Sequence, residues 1–119
     1  MQIPAADRLA SVEAYRAKHP SKVPMVVSAA DNAPPIAQAK FAMHEDSTMA
    51  NLSMAIRRAV GEQIPASDAL FLLVLLEDGS SVLVPGSETA AAVHRDYAHQ
   101  DDGLVHVRYS LENTFGFLQ

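Results

Sequence analysis

The hydrophobic residues of this chain repeat with two different periods. In STMANLSMAIRRAVG, residues 47–61, Met49, Leu52, Ile56 and Val60 recur three or four positions apart, which lines them along one face of a helix. Ser47 or Thr48 is placed to cap that helix and Gly61 to stop it. Two shorter stripes have the same period. Leu9, Val12 and Tyr15 follow Asp7 as a cap and end before Pro20, while Ala90, Val93 and Tyr97 follow Ser87 as a cap with Glu88 in the first turn. Elsewhere the period is two. LVHVRYS, residues 104–110, alternates Val105, Val107 and Tyr109 with His106, Arg108 and Ser110, as a strand with one buried and one wet face does.

VPMVVS at 23–28 and AKFAM at 39–43 read as two strands joined by a proline-bearing loop. ALFLLVLL at 69–76 is the longest apolar run, well short of the roughly 18 to 20 residues that span a bilayer, and reads as a buried strand. An Asp78-Gly79 turn and a short strand in SVLVP complete a hairpin. The predicted order is helix, hairpin, helix, strand, short strand, helix, strand. This is an α+β arrangement on the β-grasp plan of ubiquitin-like domains: four main strands, a crossing central helix, one N-terminal helix and one later helix.

Composition narrows the functional classes. At 119 residues the chain suits one domain, and its 49% hydrophobic content is enough for a core. A net charge of −5 argues against nucleic acid as a partner, which would need a broad cationic face. There is no cysteine, hence no disulfide, no thiolate metal site and no thiol nucleophile. MQIPAADR lacks the basic and apolar segments of a secretory signal, so the expected location is the cytoplasm.

HPSKVPMVV at 19–27, AKFAM, AIRRAV at 55–60, ALFLLV at 69–74, DDGLVHVRYS at 101–110 and ENTFG at 112–116, in this order, resemble the autophagy ubiquitin-like modifiers, the GABARAP and light-chain-three family. The resemblance runs from about Arg8 to Gly116, and ENTFG after a tyrosine-bearing strand is its most specific part. It implies a ubiquitin-like domain over 1–116 with a short N-terminal helical extension, followed by a cleavable tail at 117–119. It further implies that a cysteine protease cuts after Gly116, flanked by Phe115 and Phe117, and that activating and conjugating enzymes pass the new carboxylate to phosphatidylethanolamine. A residue without a Cβ lets a thiolate reach the backbone carbonyl in a narrow channel. The attached lipid would bring the domain to autophagosomal membranes.

The resemblance also implies docking of receptors that carry aromatic-x-x-aliphatic motifs, the peptide extending an exposed sheet edge. Tyr15, Pro24, Val26, Lys40 and Leu104 match the aromatic pocket, and Phe41, Met43, Leu52 and Ala55 the aliphatic one. Arg57, with Lys40 and Lys22, would attract acidic flanks. The same side chains would also serve as ordinary core and solvated rim. This sequence departs from the family at Ala42, where a larger aliphatic residue is usual, at Leu104 in place of an aromatic, and at His44 in place of proline. Only seven residues precede Arg8, where the family carries a further helix, and the segment from Leu75 to Glu88 is longer than the family's turn.

No enzyme, cofactor or metal site is expected, and the domain is expected to be a monomer. His94, His99 and His106 with Asp101 and Asp102 are the one cluster with the right residue types, but the spacing suits exposed polar histidines better than a three- or four-ligand zinc site. Two other readings stay open: an unprocessed peptide-binding adaptor, and the related modifier that is conjugated to a protein lysine.

Overall fold

The computed structural model describes residues 4–36 and 39–111. Along them run α1 (Ala5–Lys18), β1 (Lys22–Ala29), β2 (Lys40–His44), α2 (Met49–Val60), β3 (Phe71–Leu75), β4 (Ser81–Leu83), α3 (Ala90–Tyr97) and β5 (Val105–Ser110). The strands form one sheet in the order β2-β1-β5-β3-β4. All neighbours are antiparallel except β1 and β5, which run parallel with Met25 opposite Val105. The last strand thus enters the middle of the sheet, leaving β2 and β4 as its edges. This is the ubiquitin-like α+β fold.

One sheet face carries the core. Val23, Met25 and Val27 of β1, Leu72 and Val74 of β3, and Val105, Val107 and Tyr109 of β5 turn toward Met49, Leu52, Ile56 and Val60 of α2 and toward Ala90 and Val93 of α3. The helix stripe and the strand alternation therefore meet, and each fully buried aliphatic side chain contributes about 1.5 to 3 kcal/mol. Thr48 caps α2 with its hydroxyl accepting from the Asn51 amide at 3.3 Å, while the Asn51 side chain accepts from the Thr48 amide at 2.9 Å. Gly61, at φ 73°, closes the helix.

Other caps differ from expectation. α1 begins behind Pro4, with Asp7 inside the first turn, because proline's fixed φ already suits a helix entry. α3 is capped by Thr89, whose hydroxyl accepts from the Ala92 amide at 3.2 Å, and not by Ser87. That shift follows from backbone bonding between the two helix starts: Met49 donates to the Glu88 carbonyl, Ala50 to Gly86 and Ala90 to Ser47. The long 75–88 segment is consequently a tight hairpin, closed by Asp78 on Ser80, followed by a stretch tied to the start of α2. Ser110, expected on the wet face of β5, is buried, and its hydroxyl and the Leu111 amide both donate to the Asn32 side-chain oxygen at 3.1 Å.

Candidate functional site

α1 lies on the sheet face opposite α2. Pro24 and Val26 of β1, Lys40 and Ala42 of β2, and Leu104 and His106 at β5 alternate out of phase with the core residues, so they present a second surface, exposed at Lys40 and Ala42, half-buried at Pro24, Val26 and His106 and buried at Leu104. Arg8, Ser11, Val12 and Tyr15 of α1 overhang it, and a cavity of about 570 Å³ is left between helix and sheet, with Met25 and Phe41 completing the wall. All five residues matched to the aromatic side, Tyr15, Pro24, Val26, Lys40 and Leu104, line this one cavity. It adjoins β2, which pairs only with β1 among the described strands.

The residues matched to the aliphatic side are placed differently. Met43 and Ala55 are partly buried against the core, and Phe41 is buried at 8% exposure while still touching the cavity. Leu52 is 0% exposed, because the α2 stripe turns wholly into the core. Arg57 also differs, its guanidinium donating to the Pro65 and Asp68 carbonyls, which ties it to the loop after α2. Lys22 is half-buried at the start of β1. Gly116, Phe115 and Phe117 lie outside the described residues.

Along one side of the cavity sits the Asp102–His106–His99 cluster, which Arg8 of α1 joins, a partner the sequence did not indicate. Asp102 is 1% exposed, and its Oδ2 accepts from Arg8 of α1 at 3.3 Å and from His106 Nε2 at 2.8 Å, while Oδ1 accepts from the Leu104 amide at 2.9 Å. Burial pushes the Asp102 carboxyl up, but the Leu104 amide, His106 and Arg8 more than reverse this, and the net shift is downward. His99 stacks on His106 with ring centroids 4.2 Å apart, and its Nε2 donates to the Leu75 carbonyl at 2.8 Å. His94 is wedged between the Arg16 guanidinium and the Gly103 carbonyl, and burial, reinforced by Arg16, lowers its pKa. The three histidines are therefore half-buried structural groups and not the exposed ones the spacing suggested. Donor atoms of His99, Asp102 and His106 lie within 4.8 Å of one another, but the Asp102 oxygens are committed to Arg8, His106 and Leu104 and the rings lie nearly parallel. Two imidazoles stacked in this way direct their lone pairs alongside each other and not toward one point, unlike the ligands of a zinc centre.

The wall of the cavity is apolar with a cationic border of Arg8 and Lys40, and among the described residues no acidic side chain lines it. An apolar pocket beside a strand edge that no other described strand covers, with Lys40 and Arg8 at its border, can take one large side chain from an extended, acidic peptide. Residues 7–116 match the family description "Autophagy protein Atg8 ubiquitin like". The chain belongs to the Atg8 family. It is 34% identical over 117 residues to human microtubule-associated protein 1 light chain 3 gamma, covering 96% of this chain and 75% of that protein. It is 31% identical to autophagy-related protein 8e of Arabidopsis thaliana, over 92% of this chain and 84% of the relative. The crystal structure of Trypanosoma brucei ATG8 superposes with a TM-score of 0.78 at 26% identity, covering 98% of this chain and 95% of the other. The chain is accordingly an autophagy ubiquitin-like modifier that works with the autophagy machinery. No described helix is long and apolar enough to cross a membrane.

Proposed function

We propose that the chain is cut after Gly116, conjugated through the new carboxylate to phosphatidylethanolamine, and then recruits receptors by docking aromatic-x-x-aliphatic peptides along β2. Residues 1–116 form the mature domain and 117–119 the tail removed by a cysteine protease, with activating and conjugating enzymes as the further partners. The domain is cytoplasmic before conjugation and on autophagosomal membranes afterwards. The observation that carries the docking half is the cavity beside the β2 edge, lined by Tyr15, Pro24, Val26, Lys40 and Leu104. The motif's aromatic side chain enters it, backbone hydrogen bonds run along β2, and Lys40 meets an acidic flank. The conjugation half rests on ENTFG and on family membership. Two acyl chains, at about 0.8 kcal/mol per buried CH₂, hold a domain at a bilayer far more firmly than one chain.

Intact-mass measurement of the protein from its own cells tests the first half: residues 117–119 are lost, and Gly116→Ala retains them. An unchanged full-length mass under autophagy-inducing conditions favours the unprocessed adaptor. For the second half, a peptide with an acidic flank and Trp-x-x-Leu binds wild type and weakens about tenfold or more with Lys40→Glu and Tyr15→Ala together. Phe41→Ala is the poorer probe, since Phe41 also packs in the core. Equal affinity in the paired variant would remove the cavity from the docking surface.

A further inference from the structure

We propose that Asn32 is a positioning residue for cleavage after Gly116: its side chain pins the end of β5 and so fixes the point from which residues 112–116 set out toward the protease. The inference deepens the processing reading and rests on it. β1 and β5 pair in parallel as far as Ala29 and Tyr109, and one further rung follows, the Ala30 amide donating to the Tyr109 carbonyl at 2.9 Å. In a parallel ladder the next donor along β5, the Leu111 amide, would go to the Ala30 carbonyl. The turn takes that carbonyl instead: it accepts from the Ala33 amide at 3.0 Å as the chain leaves the sheet.

The Asn32 side chain supplies the missing rung. Its Oδ1 accepts from the Leu111 amide at 3.1 Å and from the Ser110 hydroxyl at 3.1 Å. A backbone amide only donates, so the atom that faces Leu111 is the oxygen of the side-chain amide and not its nitrogen. Ser110 is 2% exposed and pairs on its other side with Phe71 of β3. Tyr109 is fully buried, and its hydroxyl donates to the carbonyl of Pro34, two residues beyond Asn32. The turn at 30–34 thus holds residues 109, 110 and 111 in succession, two of them through one atom of Asn32. Residues 112–116 lead from this pin to the scissile bond, which can lie no more than about 17 Å away. A protease that grips the folded domain and threads a narrow channel takes the pin as its reference. Were the end of β5 loose, each freed residue would have to be ordered again at every threading, which weakens productive binding about fivefold or more. Once the tail is threaded, Gly116 meets the same catalytic groups, so the maximal rate is unaffected.

The test adds purified full-length chain at rising concentrations to extract of its own cells and follows release of residues 117–119 by mass, with Gly116→Ala as the blank. Asn32→Leu, similar in size but without the acceptor, is expected to raise the half-saturating concentration about fivefold at an unchanged maximal rate. It should also speed hydrogen exchange of the Leu111 amide. Asn32→Asp, which keeps an oxygen acceptor at the same place, restores both. Equal half-saturation in wild type and Asn32→Leu, or a defect that Asn32→Asp fails to rescue, overturns the inference while the processing reading stands. No release from wild type overturns the processing reading and this inference with it.

Discussion

The two faces of the sheet are covered by helices in different ways. On one face α2 and α3 drive a continuous apolar stripe into the sheet, and Leu52, Ile56 and Val93 lose all their exposure. On the other, α1 has no buried residue at all. It is held by polar clamps, Arg8 on Asp102 and Arg16 beside His94, and it stands off far enough to leave a cavity of about 570 Å³. The first face determines stability because it removes apolar area from water. The second can bind because it is incompletely filled. A ligand that fills it recovers contacts the fold itself has left unmade.

Four measurements would break or sharpen that contrast. Leu52→Ala on the α2 face should lower the unfolding free energy by about 2 to 5 kcal/mol, read from denaturant midpoints at unchanged slope. Gly103→Ala should cost about 1 to 2 kcal/mol, since Gly103 sits at φ +71° and a Cβ there would come within 3.0 Å of Leu9 of α1. Its effect should appear as faster amide exchange in α1 with little change in α2; equal acceleration in both helices would mean that the faces are not separable.

Acid should act on the α1 side first. The folded-state pKa of His94 lies below its ordinary 6.5, so the unfolded chain takes up the proton first and stability falls as pH drops from 6.5 through the folded value. Asp102, depressed below 3.8, contributes stability above that pH and loses it as pH falls through its lower folded value. Denaturant midpoints between pH 7.5 and 5 should therefore decline, and His94→Gln should flatten the decline; an unchanged slope in that variant would assign the acid response elsewhere. Smallest of all, Val12→Ala on the cavity wall should cost under about 1 kcal/mol, because the side chain is only half-buried and borders open space. A loss as large as that of Leu52→Ala would show that α1 belongs to the core after all.

Much of this was legible in advance, for reasons that can be named. The 3.6-residue stripe of α2 and the alternation of β5 report burial directly, because a side chain's face is set by its position along the element. ENTFG carried the family, and the cavity residues Tyr15, Pro24, Val26, Lys40 and Leu104 came with it by position. What local reading misplaced depends on partners distant in the chain. Ser87 read as the cap of α3 until the start of α2 bound the backbone beside it, and Ser110 read as wet until Asn32 covered it.

The Asp102 cluster makes the same point most strongly. Arg8 and Asp102 are 94 residues apart, and nothing in either neighbourhood announces the other. The sequence by itself determined which residues are apolar and with what period, hence the elements, the buried face and the family, since these depend on a few neighbouring positions. Tertiary structure alone decided that α1 stands over a half-filled space with Arg8 paired to Asp102, and that His106, expected in solvent, is half-buried in the wall of that space with its Nε2 on Asp102. Those features depend on distances between segments that only the closed sheet brings together.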